Sequence, residues 1–353
     1  MVLFRSSFRH ASKKVQKLET CPKYEEMKKR YPNEAIPRDR QEYFKNSVYH
    51  RRQLFARDYD PSRMMKIITW NVASLRSICN KYLEQLNKIM FYEKPDILCL
   101  QETKLSTLVG SEKLACFNGY TFFDSISMER KGYSGTRTYI RSSLCSSPSH
   151  TTGFSHNTDK QCIEGRVTTT RLAVGDDSRR KIHPSIGEFW VVNTYVPTSG
   201  LDKETGTFPK LGVRLQWDEE LRKHFQHIQS EKKKLPIIWT GDFNVLFDLD
   251  HHWKKDYHTM MQTPGFCFEE RYSFRQTLLD AGLIECFRHK YPNSSNSYTF
   301  WSNMERGRIG NRGLRLDGFA ISRELSHRIL ETHSLHWIKG SDHCPVALWL
   351  AVD

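Results

Sequence analysis

From about residue 65 to the end of the chain, apolar residues fall into short runs separated by polar turns, whereas the first 65 residues show no regular apolar spacing. Residues 66–72, KIITWNV, read as a strand, and 96–100, DILCL, as a short buried one. Between them Ile78, Tyr82, Leu86, Ile89 and Met90 recur at helical spacing, which predicts a helix over 77–94 that Pro95 stops. The pattern then turns β-rich. Strands are predicted at 120–123, 136–141, 165–172, 188–195, 235–240, 298–301, 316–322 and 344–351. Helices are predicted at 214–231 and 274–281, with a long loop over 246–272. Segments 145–160 and 174–185 are rich in Ser, His and charge and read as surface insertions. No internal repeat is visible. Strands and helices in mixed order predict a layered α/β sandwich.

Composition changes this picture at one end. The chain of 353 residues carries a formal charge of +14. Residues 1–65 hold 16 Lys and Arg against 8 Asp and Glu, a net of +8, which leaves +6 for the other 288. Such an excess favours a polyanionic partner or an anionic surface. The expected division is therefore a basic N-terminal extension over residues 1–64 and one compact domain over 65–353. The first 18 residues contain Arg, Lys and Ser but no acid. They read either as a mitochondrial transit peptide or as a basic arm for nucleic-acid binding or nuclear import, so nucleus and mitochondrion are the expected locations. Nine cysteines, none in a C-x-x-C spacing, argue against a disulfide framework and against structural zinc. No apolar run approaches the length of a membrane span.

Candidate chemistry lies where predicted strands end. Asn71 closes the first strand, and Gln101 and Glu102 follow the second. Tyr195 ends another, and GDFN (residues 241–244) follows the strand at 235–240, placing Asp242 and Asn244 at its tip. Asp317 opens the strand at 316–322, and Asp342 and His343 precede the last. Taken singly, each has an ordinary structural reading. Asn71 caps a helix, Glu102 is a loop acid, GDFN forms an Asx turn, Tyr195 is core, and His343 is a satisfied semi-buried histidine. All of them at strand ends, if those ends align, describe a cleft instead. Carboxylates with an amide oxygen make a hard oxygen site that suits Mg²⁺ or Mn²⁺ rather than zinc. An imidazolium held by a buried acid and a tyrosine hydroxyl stabilise charge that gathers on a phosphoryl group. A carboxylate such as Asp242 can take a proton from water. The set suits phosphodiester hydrolysis.

The ordered pieces ITWNV, PDILCLQETK, GYSG, EGRV, YVPTSG, QWDE, GDFNV, CFRHKYPN, YTFW, RLDGF and GSDHCP resemble the exonuclease III family of abasic-site endonucleases, within the endonuclease/exonuclease/phosphatase superfamily. They run from about Lys66 to the end. The resemblance implies a four-layered α/β sandwich in which two packed mixed β-sheets are flanked by helices. It implies Mg²⁺, with Mn²⁺ as substitute, held by Glu102 with Asn71 and Asp342 nearby and with Asp242, Asn244 and His343 around it. Asp242 looks like the residue that activates water or handles the leaving-group proton, and Asn244 like its orienting neighbour. His343, paired with Asp317, and Tyr195 look like phosphate contacts. Phe300, Trp301 and Leu314 look like walls of a pocket for a flipped-out sugar lacking its base. Met304 matches a position that wedges into the minor groove, and Arg76, Lys104 and Tyr133 look like backbone contacts. The implied partners are duplex DNA with abasic sites and other base-excision-repair enzymes, for a monomer with no membrane association. The chain departs from the family pattern at Ala73, Thr198, Leu201, Leu314 and Gly318. Two other readings are a superfamily phosphodiesterase acting on RNA or phospholipid head groups, and a DNA-binding protein with a weakened site.

Overall fold

The computed structural model describes residues 63–352, apart from 111–112, 146, 157–162, 175–186, 232, 247, 255–259 and 303–306. The basic extension expected over residues 1–64 therefore lies outside the described residues, save for its last two, and so does nearly all of the insertion at 174–185.

Twelve strands among the described residues form two six-stranded sheets. The first takes the order β11-β12-β1-β2-β4-β3, the second β5-β6-β7-β8-β10-β9. In chain order they are β1 (Met64–Asn71), β2 (Ile97–Gln101), β3 (Tyr120–Ser125), β4 (Thr136–Arg141), β5 (Ser149–Thr152) and β6 (Val167–Ala173). Then come β7 (Glu188–Tyr195), β8 (Ile237–Asp242), β9 (Leu283–Glu285), β10 (Asp317–Ser322), β11 (Ile329–Ser334) and β12 (Val346–Ala351). Helices α1 (Leu75–Lys81) and α2 (Leu83–Asn87), the latter continued by a π-turn at Lys88–Glu93, cover the first sheet. Helices α3 (Leu211–Gln229) and α4 (Phe268–Asp280) cover the second, and α5 (Cys286–Lys290) is a single turn.

The apolar runs are long because the central strands are buried on both faces. Side chains alternate along a strand, so Ile67 of β1 packs between the sheets with Val191, Ile238 and Leu348, while Ile68 and Trp70 face the helix layer with Leu86 and Ile89. On the other side Val192 and Trp239 meet Phe225 of α3 and Phe274 of α4. The result is the four-layered sandwich that the resemblance implies. The space between the sheets also carries polar rungs. Gln101 donates from Nε2 to Asn193 Oδ1 at 2.7 Å, and Asn193 Nδ2 donates to the carbonyls of Leu100 and Arg137. Thr136 and Thr168 join their hydroxyls at 2.7 Å.

The structure departs from the predicted elements in several places: β9, α5 and β11 match no predicted element, and the helix at 214–231 starts three residues earlier, at Leu211. The helix at 77–94 starts two residues earlier, where Ser74 accepts a hydrogen bond from Ser77 N, and breaks at Tyr82. The helix at 274–281 begins at Phe268, inside the predicted loop, because Phe268, Tyr272 and Leu279 are exposed and blur the helical spacing. Residues 298–301 form no strand; Phe300 makes only single bridges to Leu314 and His343. The insertion at 145–160 contributes the edge strand β5.

One buried titratable group ties α3 to its sheet. His224 accepts from Ser155 N at Nδ1 and meets Thr169 Oγ1 at 2.8 Å through Nε2. Burial lowers its pKa to about 3, with His156 and His227 adding to the effect. The unfolded chain takes a proton near pH 6.5 and the folded one does not, so stability is full above pH 6.5 and falls as pH drops towards 3. His224→Gln should flatten the decline of Tm between pH 6.5 and 4, where this group costs up to ~1.4 kcal/mol per pH unit. An unchanged slope in a thermal-melt series would assign the acid sensitivity to other groups.

Candidate active site

Strand direction gathers the polar ends. Strands β1 and β2 run parallel, as do β7 and β8, whereas β10 and β12 run antiparallel to their neighbours. The C-terminal ends of the first four and the N-terminal ends of the last two therefore meet at one rim. The pairing of β7 with β8 sets Tyr195 beside Asp242, and that of β10 with β8 sets Asp317 opposite Asp242.

Gly241 makes this approach possible. Its φ is +141°, and a Cβ there would lie 1.9 Å from the Thr194 carbonyl oxygen. Gly241→Ala should cost about 4 kcal/mol or more and lower Tm by roughly 10 °C. A melt within 2 °C or so of the parent would show that the strands separate easily here.

Asn71 joins the carboxylates of the two sheets. Its Nδ2 donates to Glu102 Oε1 and to Asp242 Oδ2, each at 2.9 Å, while its Oδ1 accepts from Ala73 N at 3.0 Å. The amide thus turns its NH₂ group, not its oxygen, to the acids. Asp242 is almost fully buried, and Asn244 N donates to its Oδ1 at 3.0 Å. Burial and the neighbouring Asp317 push the Asp242 carboxyl up, to about 7. Glu102 behaves oppositely. Burial opposes its charge, yet hydrogen bonds from Lys104 and Asn71 hold it below the usual carboxylate range. Lys104 Nζ lies 2.8 Å from Glu102 Oε2.

His343 faces these acids. Its Nδ1 is 2.8 Å from Asp317 Oδ2, and its Nε2 is 3.9 Å from Asp242 Oδ2. Burial would lower its pKa, but the Asp317 and Asp242 charges raise it to about 10, so the ring is an imidazolium at neutral pH. Thr299 Oγ1 donates to Asp317 Oδ2 at 2.6 Å and accepts from Leu316 N and Asp317 N, which fixes the acid. Asp342 accepts from the Ser341 hydroxyl, and that hydroxyl also reaches Asn71 O at 2.7 Å. The Tyr195 hydroxyl is held protonated by burial and by the Glu102 and Asp242 charges. Its ring lies 4.8 Å from the Arg166 guanidinium, which donates to Tyr133 Oη and to the Tyr195 carbonyl.

The apolar residues divide. The Phe300 ring is half-buried, 4.9 Å from the His343 ring, and packs with Leu314 in one cluster. Trp301 lies in another cluster with Tyr298 and Cys344; its Nε1 bonds Asn311 and Arg308 covers its ring. Arg76 is exposed on α1, and Met304 lies outside the described residues. The site thus brings together Asn71, Glu102, Tyr195, Asp242, Asn244, Asp317 and His343, with Phe300 and Leu314 beside them. Arg166 and Thr299 carried no role in the sequence reading. Both stand inside the pieces EGRV and YTFW that marked the resemblance.

Asp242, Asp317 and His343 form an acid–histidine cluster, with ligand atoms within 4.8 Å of one another, of a kind that can hold a metal ion. Yet His343 is committed to Asp317 as its counter-ion, and Glu102 is the acid already set against a positive charge, that of Lys104. A donor set of carboxylate oxygens fits a hard divalent cation.

A two-sheet sandwich with paired acids, an acid-held imidazolium and a half-buried tyrosine at one rim defines a phosphoester hydrolase. The chain belongs to the endonuclease/exonuclease/phosphatase family, whose model matches residues 68–343. It is 35% identical over 290 residues to a DNA-(apurinic or apyrimidinic site) endonuclease of Dictyostelium discoideum, covering 80% of this chain and 70% of that protein. An exodeoxyribonuclease of Bacillus subtilis is 31% identical over 287 residues, covering 80% of this chain and 98% of its own. Among solved structures, the AP endonuclease LMAP of Leishmania major superposes with a TM-score of 0.75 at 35% identity, over 84% of this chain and 90% of that one.

Proposed function

We propose that the protein is a metal-dependent abasic-site endonuclease that hydrolyses the phosphodiester 5′ to the lesion, leaving a 3′-hydroxyl and a 5′-deoxyribose phosphate. The observation that carries this reading is the Asn71 amide holding Glu102 and Asp242 together, facing the His343–Asp317 pair and flanked by the Phe300–Leu314 wall. The names of the relatives, a DNA-(apurinic or apyrimidinic site) endonuclease and an exodeoxyribonuclease, support abasic-site DNA as the substrate and an exonuclease activity beside the main one.

Mg²⁺, with Mn²⁺ as substitute, would be held by Glu102 with Asp342, and would neutralise charge on the phosphoryl group. The other roles belong to the chain. His343 donates Nε2–H to a phosphoryl oxygen, and Asp317 keeps it charged and oriented. Asp242, with a carboxyl raised to about 7, is suited to take the proton of the attacking water. The Asn244 amide N–H and the Asn71 NH₂ group aim that carboxylate. Tyr195 donates its hydroxyl to the phosphate. Phe300 and Leu314 give a small apolar surface that suits a sugar without a base, a nucleotide whose extrusion costs little stacking.

The test is a duplex carrying one tetrahydrofuran lesion, incubated with Mg²⁺ and with EDTA. Incision 5′ to the lesion only with metal is expected. Failure to cut with either Mg²⁺ or Mn²⁺ would reject the assignment, and faster turnover of RNA or of inositol phosphates would transfer the site to another substrate.

A further inference from the structure

The piece QWDE (residues 216–219) has no part in the site described above, yet its Asp218 leads back to it. Asp218 Oδ1 accepts from Arg214 Nε at 2.9 Å, one turn earlier on α3. Both side chains are buried, Arg214 to 1% exposure. Arg214 then extends Nη1 to two carbonyls, Pro197 O at 3.1 Å and Asn244 O at 3.0 Å. Pro197 is two residues beyond Tyr195, and Asn244 is two residues beyond Asp242.

These two loops leave neighbouring parallel strands, β7 and β8, and must hold special shapes. Asn244 sits at φ +46°, a left-handed conformation that a carbonyl partner helps to fix. Its Nδ2 reaches Val196 O at 2.8 Å, and Val196 N donates to Asp242 O at 3.0 Å. Arg214 closes this lattice from the helix side. A buried ion pair contributes little net stability compared with apolar residues of the same volume. Its rigid guanidinium fork can instead hold Asp218 on one nitrogen and both carbonyls on another, which a lysine ammonium cannot reproduce in that geometry.

We propose that Arg214, anchored by Asp218, is a positioning residue that sets the Tyr195 and Asp242 loops against each other. It touches no substrate. It acts through Tyr195, Asp242 and Asn244, and so rests on the reading of those residues as the hydrolytic site.

The experiment measures single-turnover incision of the tetrahydrofuran duplex by the full chain, with duplex affinity and Tm recorded in parallel. Arg214→Lys should slow incision roughly 30- to 100-fold, the cost of misplacing reacting groups by about an ångström, with affinity changed less than about twofold. The double variant Arg214→Met/Asp218→Leu removes both charges at similar volume. It should fold and yet stay as slow. Tyr195→Phe should cost far less in the Arg214→Lys background than in the parent, because the hydroxyl is already misplaced. Additive effects of Tyr195→Phe and Arg214→Lys, parental rates in the double variant, or loss of folding in both Arg214 variants would each overturn the proposal. A parent protein that does not cut the duplex would instead remove the endonuclease reading and this one with it.

Discussion

Asp242→Asn should yield a folded protein that binds an abasic duplex and cuts it about 10⁴-fold more slowly, the upper range for loss of a positioned general base. The substitution keeps shape but exchanges one of the two acceptor oxygens for an NH₂ group, which then faces the Asn71 NH₂. Asn244 N can still donate to the side-chain oxygen that replaces Oδ1. What disappears is the charge and the capacity to take a proton. Two effects on stability oppose each other: the charge is disfavoured, because the carboxyl is buried beside Asp317 and raised to about 7, but the new NH₂ group meets the Asn71 NH₂ as donor against donor. Relief of the disfavoured charge offsets much of that loss, so Tm should stay within a few degrees of the parent, about 2–4 °C per kcal/mol of imbalance. The pair of measurements is decisive. A variant that cuts within about tenfold of the parent would exclude Asp242 as the base. A Tm well below the parent would show that the hydrogen bond from Asn71 outweighs the relief of the buried charge.

His343→Ala is the second large effect, about 10³-fold on incision, comparable to the loss of one strong donor to a developing oxyanion. Three features make the ring a donor rather than a base. Asp317 holds Nδ1, Thr299 holds Asp317, and the raised pKa of about 10 keeps Nε2 protonated. The ring is charged both below and well above neutrality. Incision should therefore show no loss as pH rises from 6 to 8 that can be traced to this histidine. Asp317→Asn weakens the hold on the cation, lowers the pKa of His343, and should bring such a loss into that window. An identical pH–rate profile for Asp317→Asn and the parent would show that the pair does not set the charge of the ring.

Much of the rim was legible in the sequence, for a physical reason. Strands buried on both faces write continuous apolar runs, and a polar residue at the end of such a run stands out. Asn71, Tyr195, Asp242, Asp317 and His343 were visible in this way. Their convergence was not. It depends on which strands pair in parallel, and register between β1 and β2 or between β7 and β8 leaves no mark in either strand alone. The partners that hold the site were hidden more deeply. Thr299 reaches Asp317 across 18 residues, and Arg214 reaches Asn244 across 30. Neither breaks a local pattern. Helix α4 was half missed because its outward face carries Phe268, Tyr272 and Leu279, so the apolar stripe that marks a helix was smeared around it. The chain at 298–301 is apolar enough for a strand, but it spends its backbone bonds on single bridges beside the imidazole.

The placement of β12 between β11 and β1 reaches beyond the finished molecule. The first strand of the domain waits for the last one as its neighbour, and the histidine arrives just ahead of that strand. Without β12 the edge strand β11 has no neighbour, β1 has an open edge, and the segment that carries His343 to Asp317 has no strand to anchor it. The last strand thus completes the first sheet and the rim together.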